Sequence, residues 1–402
     1  MNYQTDITIV GGGMAGAALA LALAKETQWN IALIDAGASG EKAATDTPVL
    51  ASRVVALNEA SIDWLTGLGV WPELEAAYYS PYQKMVVWDG EGTGEVTFDA
   101  ADEHQTQLGT IVENNHLLTR LWGALQATGR VHVVTADAVS EVVFSQGQAK
   151  HCVQLESGSK FKTALVVAAD GAESVVRTMA GLEVSENDYG HSAIVATVET
   201  QHAHEGVALQ RFSNTGPLAF LPLPSIAGKH YCSIVWSQQQ AVADELMALD
   251  DAAFGLKLGR AIEHRLGRVV SVHNRAAYPL KERHANSYYR AGLALIGDAA
   301  HTLHPLAGQG INLGFADAQA LAAELKRAET RGLPLAEPSV LARYQRQRRA
   351  HNTAAIKAMA AFKVLFEAKN PMIGLLRNEG MRLFNQMPWL KRQAIKVARG
   401  SL

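Results

Sequence analysis

Apolar positions along the chain fall into short runs of strand length that end in glycine-rich turns, with helix-like stretches behind them. The first run is Asp6 to Val10 (DITIV), followed by GGGMAG and then by AALALALAK, a small-residue helix. A second apolar run, IALIDA, carries Asp35 and Ala36 at its end. The pattern recurs in TALVVAADGAESVVR, where a strand precedes Asp170-Gly171, and in LALIGD, which leads through a loop into the helical GFADAQALAAELKRA. Strands that alternate with helices predict an α/β class. Between 131 and 168 the runs are short and close together, predicting a small antiparallel meander. Between 185 and 275 stand longer β-prone runs (SAIVATVET, GVALQRF, LAFLPLP, HYCSIVWS) and one helical stretch, which predict a mixed sheet. From Ala350 onward the chain reads as helices. The expected division is 1–75, 100–180 and 275–345 for the strands that alternate with helices, 76–99 and 181–274 for a β-rich part, and 346–402 for a helical region.

Composition narrows the classes. At 402 residues the chain is long enough for two domains, and 48% apolar residues supply large cores. A formal net charge of −3 gives no pull toward nucleic acid. Cys152 and Cys232 form no disulfide or metal pattern, and no basic-then-apolar leader is seen, so a cytoplasmic setting is expected. No run approaches ~18 apolar residues, the length that predicts a spanning helix.

The first candidate chemistry is Gly11, Gly13 and Gly16, spaced G-x-G-x-x-G between a strand and a helix, with Asp35 at the end of the next strand. Gly11 permits a tight turn, Gly13 a close backbone approach to a pyrophosphate, and Gly16 close helix–strand packing. The helix start at Met14, Ala15 and Gly16 offers free N–H groups and a partial positive charge. Asp35, with Ala36 beside it, suits ribose hydroxyls. The competing reading is a turn packed for structure only. This fingerprint by itself does not choose between NAD and FAD.

The second candidate is GDAAHTLHPLAGQGINLG, Gly297 to Gly314. Together with GGGMAG and AADGAESVVR, in this order, it resembles the FAD-dependent aromatic hydroxylases, the single-component flavoprotein monooxygenases of the para-hydroxybenzoate hydroxylase fold. Within them HPLAGQGINLG, ASRVVALNEAS, IVENNHLL, LAFLPLP and CSIVWS resemble the ubiquinone-biosynthesis hydroxylases, the UbiH/UbiF/VisC group. The resemblance covers nearly the whole chain. It implies a discontinuous Rossmann-like FAD domain of the GR2 type, with a mixed-sheet substrate domain and a helical C-terminal region. It implies that Asp298 binds the ribityl chain and that the turn holding Pro305, Gly308, Gln309 and Gly310 lies along the isoalloxazine ring. The helix start at Gly310, Ile311 and Asn312 then points N–H groups at the ring edge where charge collects on reduction. Arg53 is expected at FAD or its pyrophosphate, and Asp170 at the loop beside it. The implied chemistry is reduction of FAD by NAD(P)H, reaction with O2 to a C4a-hydroperoxide, and oxygen transfer to the ring of a polyprenyl phenol or benzoquinol. No general base is assigned, and His304 is a candidate to face the flavin. Three other readings stay open: a hydroxylase of a small soluble phenol, a prenyl reductase, and a flavin-bearing scaffold subunit without turnover.

His301 and His304 stand three apart without further ligands at metal spacing, so no metal is expected, and His301 reads as a helix-start or loop residue bonding locally. No Gly-x-Ser-x-Gly elbow and no Walker loop is present. The C-terminal stretch carries Lys357, Lys363, Lys369, Arg377, Arg382, Lys391, Arg392, Lys396 and Arg399 against Glu367 and Glu379, interleaved with large apolar residues. It reads either as an amphipathic cap on the core or as a basic face docking on a membrane or on subunits of a biosynthetic complex, at the inner membrane face.

Overall fold

The computed structural model describes residues 1–37, 53–145, 150–302, 310–368 and 370–400. Its centre is a six-stranded sheet in the order Tyr289–Arg290, Leu293–Leu295, Leu165–Ala168, Ile7–Val10, Ile31–Asp35, Val131–Thr135. All its neighbours pair in parallel except the edge strand Tyr289–Arg290. Ile7–Val10 and Leu165–Ala168 are buried along their whole length, as inner strands of a sheet covered on both faces must be. The Met14–Glu26 helix lies over this sheet and packs against the helices Asn114–Ala127 and Gly310–Thr330. Its alanines and leucines from Ala17 to Ala24 are all buried, because small side chains let it sit close to the strands on one side and the two helices on the other.

A second sheet of eight strands runs His301–Thr302, Val269–Ala285, Val184–Thr200, His230–Gln239, Leu218–Pro222, Val207–Phe212, Lys84–Asp89, Glu95–Asp99. It is mixed, since Val207–Phe212 pairs in parallel with Lys84–Asp89 and the other pairs are antiparallel. The expected boundary at 275 falls inside the 17-residue strand Val269–Ala285. Residues 131–168 differ from the antiparallel meander that their spacing predicts. Val131–Thr135 and Leu165–Ala168 belong to the parallel sheet, and only Val139–Val143, His151–Leu155 and Lys160–Thr163 pair antiparallel, with Asn2–Gln4 added at the edge. The apolar run Leu165–Ala168, with no polar alternation, marks a strand covered on both faces. A three-stranded sheet, Val54–Leu57, Gly109–Glu113, Tyr79–Tyr82, is separate in its hydrogen bonding and packs through Ala56 and Ile111 against Leu223 and Tyr231 beside the eight-stranded sheet.

Three helices, Pro338–Glu367, Pro371–Asn385 and Pro388–Ala398, close the chain, and each begins at a proline, which suits the first helical position. Arg377 is buried and binds Asp89 through Nε and Nη2 at 2.8 and 2.6 Å. Arg399 pairs with Glu59, Lys391 with Asp102 at 3.2 Å, and Arg392 and Lys396 approach Glu103. Five of the expected basic residues thus reach acids of the body, although Arg392 and Lys396 stay half exposed and Arg382 pairs only within its own helix. These helices expose large apolar side chains beside those cations: Val364, Met372, Leu375, Leu376 and Trp389 are each more than 60% exposed.

Candidate cofactor and ring-hydroxylation site

Four neighbouring parallel strands end at the same edge of the central sheet, and each ends in a residue the sequence singles out. Ile31–Asp35 ends at Asp35, Ile7–Val10 runs into Gly11, Leu165–Ala168 leads to Asp170, and Leu293–Leu295 leads to Gly297 and Asp298. In open parallel sheets this carboxyl edge is where ligands bind.

At the first turn Gly11 has φ +105°, and a Cβ there would strike the Ala169 carbonyl. A Cβ on Gly16 would strike the Gly11 carbonyl, so helix and turn touch backbone to backbone. Gly13 instead faces open space and caps the helix with no side-chain acceptor on the first-turn N–H groups of Met14, Ala15 and Gly16. Asp35 takes the Gly12 N–H on Oδ2 at 2.5 Å and the Gly37 N–H on Oδ1 at 2.7 Å, and exposed Ala36 lies between. Each carboxylate oxygen has a second lone pair left for a hydroxyl. Trp122 holds the loop from behind, donating from Nε1 to the Gly12 carbonyl at 2.9 Å. No local motif announces this tryptophan, because its helix is 110 residues away in sequence.

Asp170 accepts from the Val176 N–H on Oδ2 at 3.1 Å, while Oδ1 is buried with no partner. A buried carboxylate oxygen without a donor is costly. The open Gly13 position, the uncapped helix N-terminus and this unpaired acceptor fit a bound group that brings phosphate and hydroxyls to the sheet edge, as FAD does. Arg177 joins this segment to the third motif, donating to the carbonyls of Ala299 and Ala172 at 2.9 Å each.

The Gly297–Ala299 turn lies against small residues. A Cβ on Gly297 would meet Ala15 at 3.4 Å, and one on Gly314 would meet the Gly297 Cα at 3.5 Å, so the motif helices converge there. Asp298 has an exposed side chain, yet protein crowds it enough that desolvation raises its carboxyl above the ordinary range, against the opposing pull of His301 and Arg53. Arg53 is exposed, with its guanidinium 5.7 Å from the Tyr278 ring centroid. Gly310 and Ile311 open the Gly310–Thr330 helix. Asn312 in its first turn is committed elsewhere: it accepts from the Asn58 N–H at 3.0 Å and the Ser61 hydroxyl at 2.8 Å and donates to the Ala56 carbonyl at 2.8 Å. His304, Pro305, Gly308 and Gln309 lie outside the described residues.

His301 is neither a helix-start nor a loop residue bonding locally. It forms a two-residue strand against Arg283–His284, and its Nε2 meets buried Asp317 at 2.5 Å. Asp317 also takes the Gly297 N–H at 3.2 Å, Arg348 Nε at 2.7 Å and Asn352 Nδ2 at 3.1 Å. Burial acts to raise the Asp317 carboxyl, and His301 and Arg348 overcome it and hold it below the usual range. No sequence spacing marks Asp317, because its role needs partners from three elements. The cluster continues through Tyr288, whose hydroxyl receives Asn352 at 3.2 Å and meets His284 Nε2 at 2.8 Å. It fixes the turn carrying Asp298 to the helix behind it.

The FAD binding domain family matches residues 4–359. Over 99% of both chains the sequence is 37% identical to 3-demethoxyubiquinol 3-hydroxylase of Escherichia coli. It is 34% identical to ubiquinone hydroxylase UbiL of Rhodospirillum rubrum over 99% of this chain and 90% of that one. It is 32% identical to the human mitochondrial ubiquinone biosynthesis monooxygenase COQ6 over 98% of this chain and 92% of that one. Among solved structures, PqsL of Pseudomonas aeruginosa superposes with TM-score 0.78 at 22% identity, covering 93% of this chain and 100% of that chain. The p-nitrophenol 4-monooxygenase PnpA of Pseudomonas putida superposes with TM-score 0.79 at 18% identity, covering 99% of each. These two likenesses establish the fold. With the sheet edge, its glycine turns and its acids in place, the chain belongs to the FAD-binding monooxygenase family that contains the ubiquinone-biosynthesis hydroxylases.

Proposed function

We propose that this FAD-dependent monooxygenase hydroxylates the aromatic ring of a polyprenyl phenol or benzoquinol intermediate of ubiquinone biosynthesis. The observation that carries the reading is end-to-end similarity to a protein named 3-demethoxyubiquinol 3-hydroxylase. When bound, FAD reduced by NAD(P)H supplies the activation of O2, and the protein supplies binding, orientation and exclusion of water.

In this reading Asp35 holds the ribose hydroxyls of the adenosine half with the lone pairs left by Gly12 and Gly37, and Ala36 lies beside them. Gly11, Gly13 and the N–H groups of Met14, Ala15 and Gly16 cradle the pyrophosphate. Asp170 offers its open Oδ1 to a donor at the same edge, and Arg53 supplies positive charge toward the cofactor. Asp298 accepts from the ribityl hydroxyls. Gly310, Ile311 and Asn312 present backbone N–H groups toward the ring edge, where Asn312's side chain is free of any catalytic duty. Pro305, Gly308 and Gln309 complete the ring's bed, and His304 faces it. In this reading nucleotide binding belongs to 1–75, 100–180 and 275–345, substrate binding to 76–99 and 181–274, and 346–402 is a helical region, with the Val269–Ala285 strand running across the boundary at 275.

None of the described helices is long and apolar enough to cross a membrane. A polyprenyl substrate nevertheless resides in lipid, and the proposed contact is peripheral, at the inner membrane face, through the exposed apolar side chains of 364–397; the same face is open to subunits of a biosynthetic complex. The test is NAD(P)H consumed, peroxide released and hydroxylated product formed with prenyl phenols of decreasing chain length. Coupled turnover that requires the chain supports the reading. Equal coupling on a chainless phenol points to a soluble substrate, hydrogenated product to a reductase, and no turnover with a reducible flavin to a scaffold.

A further inference from the structure

One cavity of about 130 Å3 lies between the three-stranded sheet, the Lys84–Asp99 hairpin and the last helix. That size compares with the ~150 Å3 engineered cavity that takes up benzene. Its two walls differ. One is apolar and belongs to the body: half-buried Tyr82, Met85, Phe98 and Leu108. The other is the face of Pro388–Ala398 that carries Ala394 and Ile395. The polar side chains at its edge are mostly spoken for. Asn58 donates from Nδ2 to the Ala398 carbonyl at 3.2 Å, Asn312 is satisfied by Ala56, Asn58 and Ser61, and Arg399 pairs with Glu59. Only Arg399 Nε is left buried without a partner, which makes the Arg399 end the polar end.

Asn312 ties this cavity to the proposed ring site, because it stands in the first turn of the helix that begins where the flavin's bed is proposed. The last helix is latched to the same place: the Ala60 N–H donates to the Arg399 carbonyl at 3.3 Å, and the next residue is Ser61, whose hydroxyl Asn312 receives. A group entering the cavity would thus lie against the cofactor helix on one side and under a removable cover on the other. A hollow whose walls are mostly apolar, with a single unpaired donor, Arg399 Nε, at one end, favours an alkyl occupant over a phosphate or sugar.

We propose that this cavity seats the ring-proximal part of the substrate's isoprenoid chain and that the Pro388–Ala398 helix is its cover. The proposal rests on the polyprenyl reading above and deepens it: chain recognition belongs to the C-terminal helix and the 82–108 segment, away from the nucleotide machinery. The C-terminal helices expose Leu376 and Trp389 beside the cations Arg392 and Lys396, so the cover would also be the part of the molecule nearest the lipid from which the chain arrives.

The test fills the cavity from each wall in the full-length FAD-loaded protein. Ala394→Phe grows from the cover and Leu108→Trp from the body, and Ala394→Leu is a milder form should Phe disturb folding; FAD content and melting temperature report that. Dissociation constants are read by tryptophan quenching for a phenol bearing no chain, one isoprene unit and three. Each buried methylene strengthens wild-type binding about fourfold. The expected result is that the filled variants lose at least tenfold of the affinity ratio between chain-bearing and chainless phenols. Variants that keep the wild-type ratio overturn the cavity assignment. Variants that keep the ratio but lose liposome binding assign the cavity to lipid acyl chains and overturn it too. A wild type indifferent to chain length overturns the polyprenyl reading instead, a failure distinct from the other two.

Discussion

Asp298 in the Gly297–Gly314 motif and Asp317 in the helix that follows show how burial divides roles between identical side chains. Asp298 is exposed, and Asp317 is wholly enclosed by His301, Arg348, Asn352 and the Gly297 N–H. Asp298→Ala is expected to weaken FAD binding tenfold to a hundredfold, since a charged hydrogen bond contributes roughly 1.5–3 kcal/mol, while urea unfolding of the apoprotein stays near wild type. An unchanged FAD titration would remove Asp298 from the binding site. Asp317→Ala should act in the opposite order. It strands Arg348 in the core, and breaking a buried ion pair costs about 3–5 kcal/mol, so the urea midpoint falls before any effect on FAD is read. Wild-type stability in that variant would show the cluster to be ornamental.

At the scale of elements, the long strand Val269–Ala285 meets the buried cluster through His284. Desolvation, with the charges of His301 and Arg349, lowers His284 from the ordinary 6.5 to about 4. The folded protein therefore prefers the neutral ring. Its contribution to stability is complete above pH 6.5 and is lost as pH falls through 6.5 toward 4. Melting temperature against pH should show this limb, and His284→Gln, which keeps a neutral hydrogen-bonding side chain, should flatten it; an identical limb in the variant rules the residue out. The C-terminal helices hang on a different element contact, Arg377 with Asp89. Arg377→Ala leaves Asp89 buried and unpaired beside Phe212 and Phe366, and should destabilise by about 3–5 kcal/mol. Hydrogen exchange should quicken first in 371–400. Protection unchanged there would mean that the helices are held by their other ion pairs.

For the molecule as a whole, the tail's nine basic residues suggest electrostatic docking, but the fold pairs many of them with Asp89, Asp102, Glu103 and Glu59 and turns Met372, Leu375, Leu376 and Trp389 outward. If the proposed membrane contact uses these apolar side chains, it resists salt. Leu376→Glu with Trp389→Glu should abolish co-sedimentation with vesicles, and wild-type binding should persist at 0.5 M salt, where exposed charges are screened beyond roughly one contact distance. Binding that vanishes in salt would return the role to the cations. The helix presenting Trp389 also walls the apolar cavity through Ala394 and Ile395, so the proposed membrane contact and the proposed chain site would share one region.

The glycine turns were legible in the sequence because their requirement is local: a positive φ at Gly11 and a close approach at Gly16 are set by a few neighbouring residues. Asp35, Asp170 and Asp298 were legible for the same reason, each standing at the end of an apolar run that reads as a strand. The order of those strands was not, and it is what brings acids from positions 35, 170 and 298 to one edge. Trp122 behind Gly12, Asn312 turned away toward Ser61, and the His301–Asp317–Arg348 cluster were illegible because each is defined by partners far along the chain. The tail shows the limit most plainly. Its charges could be counted in sequence, but whether a lysine or arginine faces water or an acid depends on which surface the helix packs against, and only tertiary structure brings Asp89 to Arg377 across 288 residues.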